Sequence, residues 1–150
     1  MLKLKITEES MPIMGKLAQG STIIKLMPFE NVIGGITIRE NQNADIILIS
    51  QNGSVIKHAL RQIRLCEKGD LGVMGINFQD SENIRDRIVQ VYNGNQLAGI
   101  RTSLGKNGRV SANQIQEIEY NQIQVKAFNL IKDELITKVI PLLEKNTYKI

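Results

Sequence analysis

The chain has 150 residues, of which 42% are hydrophobic but only 4% aromatic, and it contains no tryptophan. Its formal net charge of +4 is compatible with a polyanionic partner and equally with an ordinary basic protein. The single cysteine, Cys66, excludes an intramolecular disulfide, and the single histidine, His58, excludes a cluster of histidine metal ligands. No run of about 18 apolar residues predicts a membrane span.

The first 41 residues are predicted to contain two strands. Residues 1–10 have the pattern of a strand end followed by a loop, and residues 11–20 form a loop that carries Lys16. Apolar runs at Ser21–Met27 and Asn31–Ile38 predict two strands joined by a short turn.

Residues 45–78 predict a hairpin followed by a basic loop. Ile46 and Leu48 lie in a half-buried strand, and Asn52-Gly53 supplies a two-residue turn because glycine tolerates positive φ. The returning strand covers Val55–His58, and a further strand begins at Gly72. The loop between these two strands carries Arg61, Arg64 and Lys68.

The last part of the chain is predicted to contain five further strands. Ile84–Tyr92 is the first, and Gln96–Arg101 and Gly108–Ala112 flank a glycine-rich turn. Ile123–Leu130 and Leu135–Ile140 are the last two.

A 52-residue shift aligns the chain with itself. Gly20 then falls on Gly72, and Gly53 falls on Gly105. The other informative columns are Lys5, Lys57 and Arg109; Ile24, Ile76 and Phe128; Leu26, Phe78 and Leu130; and the acidic column Glu30, Glu82 and Glu134. Apolar spacing alone would also allow a helix over residues 126–143. The repeat register argues against it, because the counterpart segments contain proline and glycine.

A period near 50 residues with about four short strands per copy is typical of a propeller blade. We therefore predict an all-β fold, a partial β-propeller (pinwheel) array of about three four-stranded blades in one domain. The blades cover residues 1–41, which lack a first strand, 42–93 and 94–145. Such an array has two open edges, so self-association through them is expected.

Charge is segregated within each unit. Residues 53–66 and 95–116 contain basic residues and no acid. Repetition would bring these basic residues to one side as a curved stripe that suits phosphate contacts, although solvated hairpin tips also carry Lys and Arg. The predicted DNA-binding residues are Lys16, Lys57, Arg61, Arg64, Lys68, Arg101, Lys106 and Arg109.

These motifs resemble the C-terminal domain of the DNA gyrase and topoisomerase IV A subunits. The matching segments are DIILISQNGSVIK, LGVMGINF and ENI in the second copy, and MGKLAQGSTIIKL in the first. The resemblance implies a propeller-like domain that binds and bends duplex DNA, in a cytoplasmic, nucleoid-associated location. The gyrase loop is rich in Arg and Gly, whereas this chain has CEKGDLG there, so gyrase-like and topoisomerase IV-like relatives both remain open.

The chain is predicted to have no enzymatic activity by itself. It shows no phosphate-binding loop, catalytic cluster, metal site or cofactor motif. Tyr92, Tyr120 and Tyr148 lack the flanking arginine of the family's cleavage site. DNA cleavage would come from the remainder of a topoisomerase A subunit or from a separate cleavage subunit. The alternative function is a small propeller-type scaffold that binds protein without binding DNA.

Overall fold

The computed structural model describes residues 2–3, 6–7, 9, 11–39, 44–74, 86–111, 125–126 and 128–142. Within these residues the fold is all-β with almost no helix. The strands are β1 (Leu2–Lys3), β2 (Asp45–Ser50), β3 (Ser54–Ala59), β4 (Val73–Met74), β5 (Ile88–Asn93), β6 (Leu97–Thr102), β7 (Asn107–Val110), β8 (Val125–Lys126) and β9 (Ile136–Leu142). A 3-10 turn at Leu60–Gln62 follows β3. No helix in this described part has the length and apolar character needed to cross a membrane.

The strands form three antiparallel sheets. The central sheet has the order β5-β2-β3-β8, and the outer sheet has the order β7-β6-β9. The short strands β1 and β4 pair with each other in a separate sheet. The predicted all-β, partial propeller-like array is thus confirmed, with sheets of four, three and two strands in place of uniform four-stranded blades.

The hairpins β2–β3 and β6–β7 have the same register, one repeat period apart. Ile47 lies opposite Lys57 in the first hairpin, and Gly99 lies opposite Arg109 in the second. Strand β5 of the central sheet and strand β9 of the outer sheet, which we call the closing strands, pair with their hairpins with an irregularity at the matching place. It lies between residues 49 and 50 in the central sheet and between residues 101 and 102 in the outer sheet. Lys57 and Arg109 therefore occupy equivalent positions in their units.

The two hairpin turns have the same backbone conformation. Gly53 has φ +89° and Gly105 has φ +80°, which glycine adopts without a steric cost. Each glycine N–H donates to the carbonyl three residues earlier, on Ser50 at 3.3 Å and on Thr102 at 3.0 Å. A turn is thus present where Asn52-Gly53 predicted one, but its loop has three residues, 51–53, in place of two, and only the glycine has positive φ. Its counterpart recurs at Gly105.

A strand from later in the chain pairs with the second strand of a hairpin. In the central sheet, Val125 of β8 lies opposite Val55 of β3. In the two-stranded sheet, Val73 of β4 lies opposite Lys3 of β1, and both residues of this pair stand one repeat period earlier. Each unit therefore contributes one short strand to the unit that precedes it.

Two apolar cores lie on the two faces of the central sheet. Side chains of a strand alternate between faces, so Ile47 and Ile49 point one way and Ile46 and Leu48 the other. The first core fills the space between the central and outer sheets, and its buried members are Ile47, Ile49, Val55, Tyr92, Ala98, Ile100, Val110 and Ile136. The second core lies on the opposite face, where Ile36 and Ile38 of the first unit pack against Ile46, Leu48, Ile56, Ile63 and Ile88.

The strands predicted at Ser21–Met27 and Asn31–Ile38 are wrong, because the structure assigns no strand to residues 11–39. A strand requires a hydrogen-bonded neighbour, and among the described residues the main-chain bonds of residues 23–25 go to the 69–70 turn. Gly69 N–H donates to the Ile23 carbonyl at 2.8 Å, and Lys25 N–H donates to the Asp70 carbonyl at 3.2 Å. Of the strand predicted at Ile123–Leu130, the described part is a strand only at Val125–Lys126, and residues 128–130 are irregular.

The second unit reaches strand β5 later than the 52-residue register and the position of β9 predict. Gln51 N–H donates to the Arg87 carbonyl, and Ser103 N–H donates to the Leu135 carbonyl, both at 2.8 Å. The two donors are one repeat period apart, but the two acceptors are closer together, so the second unit has four more residues before its closing strand. By this register the counterpart of Glu134 is Asp86. Glu82, the predicted counterpart, lies outside the described residues.

Candidate nucleic-acid interface

The outer sheet has one apolar face and one basic face. Ala98 and Ile100 of β6 point into the first core, so Gly99 and Arg101 point to the opposite side. Arg109 of β7 lies opposite Gly99, and Lys138 of β9 lies opposite Arg101. The three cations therefore share one side of the sheet, which we call the basic face: Arg101, Arg109 and Lys138.

The basic face concentrates positive charge that pairs with no acidic side chain among the described residues. Directly opposed residues are about 5 Å apart and diagonal ones about 7–8 Å apart at Cβ, so the three cations lie within about 12 Å. All three are exposed, and none forms an ion pair with another described residue. Like charges directly opposite each other destabilise a sheet. The Arg101–Lys138 pair is therefore an arrangement that a bound anion would stabilise.

Lys106 lies at the tip of the same hairpin and is held by a buried carboxylate. Its Nζ is 2.9 Å from Oε2 of Glu134, and the Thr102 hydroxyl donates to Oε1 at 2.6 Å. The Ile131 N–H also donates to Glu134, at 3.1 Å. The hydrogen bond from Thr102 and then the one from Lys106 hold the pKa of Glu134 below its ordinary value. The Lys106 side chain is nevertheless 57% exposed, so it remains available to solvent beside the basic face.

Lys57 is placed differently from its counterpart Arg109. It projects from the face of the central sheet that the outer sheet covers, and its side chain is only 16% exposed. Its Nζ is 3.8 Å from a carboxylate oxygen of Asp45, the residue that begins the neighbouring strand β2. The acid-free stretch 53–66 therefore does not leave Lys57 without an acid, because the fold brings one from the adjacent strand.

The other predicted contacts lie on two further segments. Arg61 and Arg64 are exposed in and after the 3-10 turn that follows β3, and Lys68 is half-buried in the turn 67–70. The Asp70 carboxylate closes that turn by accepting the Glu67 N–H at 3.1 Å. Lys16 is exposed in the irregular segment 11–20. Of the eight predicted residues, Arg101 and Arg109 are thus brought to one face, with Lys106 beside them.

Sequence reasoning missed Lys138. The strand predicted at Leu135–Ile140 is confirmed as β9, but alternation along it would have placed Lys138 on the same side as the buried Ile136. The irregularity between Arg101 and Thr102, where β9 pairs with β6, puts the two residues on opposite sides. The partner of Lys138 could not be found from the 52-residue register, because β9 pairs with β6 four positions earlier than the equivalent pair in the central sheet predicts.

Of the three tyrosines, Tyr92 is the one that lies within the described residues. Tyr92 is 1% exposed in the first core, and burial raises the pKa of its phenol to about 12, so it stays protonated and inaccessible. Tyr120 and Tyr148 lie outside the described residues. No group of His, Cys, Asp and Glu that could hold a metal ion is found in the described part of the chain.

The fold and the site place the chain in one structural class, the propeller-like antiparallel arrays that carry a basic face. Solved structures with the same fold include the C-terminal domain of DNA topoisomerase IV, with a TM-score of 0.67 and 21% identity over 82% of this chain and 38% of that one. They also include the C-terminal domain of DNA gyrase A, with a TM-score of 0.65 and 21% identity over 83% and 42%. The chain thus spans less than half the length of either structure. No protein family and no curated protein matches the sequence.

Proposed function

We propose that the chain binds and bends duplex DNA without sequence preference, as an accessory module of a type II DNA topoisomerase. The observation that carries the proposal is the basic face, where three exposed cations have no ion-pair partner among the described residues. The likeness of the fold to C-terminal domains of topoisomerase IV and DNA gyrase A supports the same conclusion.

The chemistry of the basic face suits phosphates. Duplex DNA carries one negative charge per about 1.7 Å of its axis, so a patch about 12 Å wide meets several phosphates at once. Arg101 and Arg109 each offer a planar fork of N–H donors, which matches phosphate oxygens, and Lys138 adds a point charge. A flat sheet face presents nothing that enters a groove, so the contacts are to the backbone and carry no sequence preference.

Further cations extend the contact. Lys106 borders the basic face, and Arg61, Arg64, Lys68 and Lys16 supply charge on other segments. DNA that reaches more than one of these segments has to bend, at a cost of a few kcal/mol that the added contacts offset. Lys57 is the weakest of the predicted contacts, because its side chain is largely covered and lies beside Asp45.

The proposed module needs a partner for chemistry. DNA cleavage would be supplied by the remainder of a topoisomerase A subunit or by a separate cleavage subunit, and the site of action would be the nucleoid in the cytoplasm. Binding of DNA beside the cleavage site would then determine which duplex segment is presented for strand passage.

A salt titration of duplex binding tests the proposal. For the unmodified chain, log affinity should fall linearly with log salt, by about 0.9 for each phosphate contact. The triple variant Arg101→Gln/Arg109→Gln/Lys138→Gln should bind more weakly at low salt. Its slope should be shallower by up to about 0.9 for each of the three substituted cations.

A matched control distinguishes the effect of the basic face on DNA binding from the effect of net charge. The triple variant Lys25→Gln/Arg39→Gln/Lys132→Gln removes the same number of charges from exposed positions elsewhere. It should keep most of the slope. Equal losses of affinity in the two variants, or no binding by the unmodified chain at about 50 mM salt, would contradict the proposal.

The scaffold alternative is favoured by a different observation. Residues 11–33 expose many large apolar side chains, among them Ile13, Leu17 and Phe29, which are almost wholly accessible. Exposed large apolar side chains that form a patch are typical of protein-binding sites. If charge removal leaves DNA binding unchanged while Leu17→Asp/Phe29→Asp abolishes capture of a topoisomerase subunit, the scaffold function takes precedence.

A further inference from the structure

The second strand of the outer hairpin has a free edge. Strand β3 pairs with β2 on one side and with β8 on the other, whereas β7, its counterpart in the next unit, pairs only with β6 among the described residues. The turn at Gly105, next to this edge, also has no close neighbour. A Cβ built on Gly53 would meet Leu130 at 3.1 Å and Phe128 at 3.3 Å, but a Cβ on Gly105 would meet nothing within 4 Å.

The residues of β3 and β7 differ in burial in the same way. Ser54, Val55 and Ile56 of β3 are buried, and Asn107, Gly108 and Arg109 of β7 are all exposed. No described strand lies on the outer side of β7, where β8 lies against β3. An unpaired edge of this kind is a template for a strand from another chain.

The first unit contains a segment of the type that β3 accepts. Strands β4 and β8 are one repeat period apart, and the same step back from β4 leads to Ser21 and Thr22. No hairpin among the described residues receives these two residues. Ile24 and Leu26 then stand at the positions of Phe128 and Leu130, which cover Gly53.

The segment is already held in the conformation that follows β8. Glu30 N–H donates to the Met27 carbonyl at 3.1 Å, and the Glu30 carboxylate accepts the Met27 N–H at 2.7 Å. The turn Ile131–Glu134, two repeat periods later, contains both bonds at 3.0 and 3.1 Å. The third residue of each turn has positive φ, +71° at Phe29 and +64° at Asp133, although neither is glycine. Two turns that share these unusual features indicate that the segments before them are equivalent.

We propose that residues 21–26 of one copy of this chain pair with the free edge of β7 in a second copy, in the register in which β8 pairs with β3. The register places Ser21 opposite Asn107 and Thr22 opposite Lys106, and it seats Leu26 over Gly105. The contact joins two different surfaces, so it is head-to-tail, and each copy keeps one donor segment and one acceptor edge. The pairing uses main-chain groups at the side of the outer sheet, whereas the DNA contact uses side chains on its face.

Cysteine cross-linking tests both the contact and its register. Two single variants, Ser21→Cys and Asn107→Cys, are prepared on a Cys66→Ala background, and one of them carries an affinity tag. Mixing and oxidising them should yield the mixed dimer as the main product, since opposed residues of paired strands are within disulfide distance. The register control pairs Ser21→Cys with Arg109→Cys, two residues along β7, and should give several-fold less mixed dimer.

Two outcomes overturn the proposal. One is equal cross-linking in the matched and the shifted pair, and the other is a dominant bond between two Ser21→Cys copies, which would indicate a symmetric interface.

Sedimentation provides a second readout that needs no cross-link. Leu26 is 42% exposed, so Leu26→Asp should leave the fold intact while weakening self-association at least tenfold, because burial of a leucine is worth more than a tenfold change. The matched control is Leu65→Asp, which changes an exposed leucine outside both segments and should have no effect. Self-association that both variants weaken equally, or a chain that stays monomeric at millimolar concentration, would contradict the proposal.

Discussion

The hairpins β2–β3 and β6–β7 have the same backbone and opposite surroundings. Ile47 and Ile49 of the central hairpin are wholly buried, whereas their counterparts Gly99 and Arg101 stand on the solvent side of the outer hairpin. The central hairpin has an apolar core on each face, and the outer hairpin has one on a single face. The same register thus supports a sheet with a core on both faces in one place and, among the described residues, a sheet with a core on one face in the other.

The difference shows that the position of a hairpin in the array, and not its backbone conformation, determines whether its side chains are apolar or polar. A sheet face that no other sheet covers requires polar side chains to remain soluble. Here that face is not merely polar but cationic, with Arg101 directly opposite Lys138. Stacking a further apolar sheet on it would bury these charges at a large cost, so the face suits a polyanion better than another blade.

The largest effect should come from exchanging the two hairpins' side chains. Ile49→Arg places a charge in the first core, where Ile49 is 0% exposed, and should cost about 4 kcal/mol or more, enough to abolish cooperative unfolding in urea. The reciprocal change, Arg101→Ile, should alter stability by about 1 kcal/mol or less, since it affects an exposed position. An Ile49→Arg variant as stable as the unmodified chain would contradict the packing of the two sheets.

The turn glycines provide a smaller, matched comparison. Alanine at Gly53 or at Gly105 has to adopt positive φ, which costs about 1–2 kcal/mol at either position. Gly53→Ala should lose more stability, because its Cβ would lie 3.1 Å from Leu130 Cδ1 while Gly105→Ala meets open space. Urea midpoints of the two variants measure the difference. If Gly105→Ala is the more destabilised, the strand donation to the central hairpin is misassigned.

The pH dependence of the outer hairpin should be traceable to Glu134. Its folded-state pKa lies below the ordinary value of 4.5, so the stability it contributes is complete above pH 4.5 and is lost as pH falls through the folded-state pKa. Glu134→Gln should therefore be less stable than the unmodified chain near pH 7, and the gap should narrow below pH 4.5. Thermal unfolding measured from pH 7 to pH 3 tests this, and a gap that widens in acid would have the wrong sign.

The smallest effect concerns the like charges of the basic face. Lys138→Thr removes one of two opposed cations and should stabilise the sheet by a few tenths of a kcal/mol, while DNA binding weakens. Salt should reduce the gain, because screening weakens the repulsion in the unmodified chain. Lys132→Thr, at an exposed turn position, should change neither property. A loss of stability in Lys138→Thr would show that the lysine has a neutralising partner.

Much of the second and third units could be predicted from the sequence. The hairpin turn at Asn52-Gly53 and the equivalence of Lys57 and Arg109 follow from turn chemistry and strand alternation, which act over a few residues. The prediction failed in the first unit, where Ser21–Met27 and Asn31–Ile38 have the apolar pattern of strands but no assigned strand. Pattern reports the preference of a segment, whereas a strand also needs a partner edge within reach.

The all-β class, the 52-residue repeat of the hairpins and the positions of the turn glycines could be predicted from the chain alone, because each depends on local residue types. The grouping of cations on one face could not. Arg101 meets Lys138 because β9 closes the outer sheet at a shorter spacing than the repeat period. Lys57 lies beside Asp45 because β2 and β3 form the predicted hairpin, but its low exposure depends on the outer sheet that covers this face. These outcomes depend on how many residues separate one strand from the next and on which faces another sheet covers, and a local pattern of residue types contains neither.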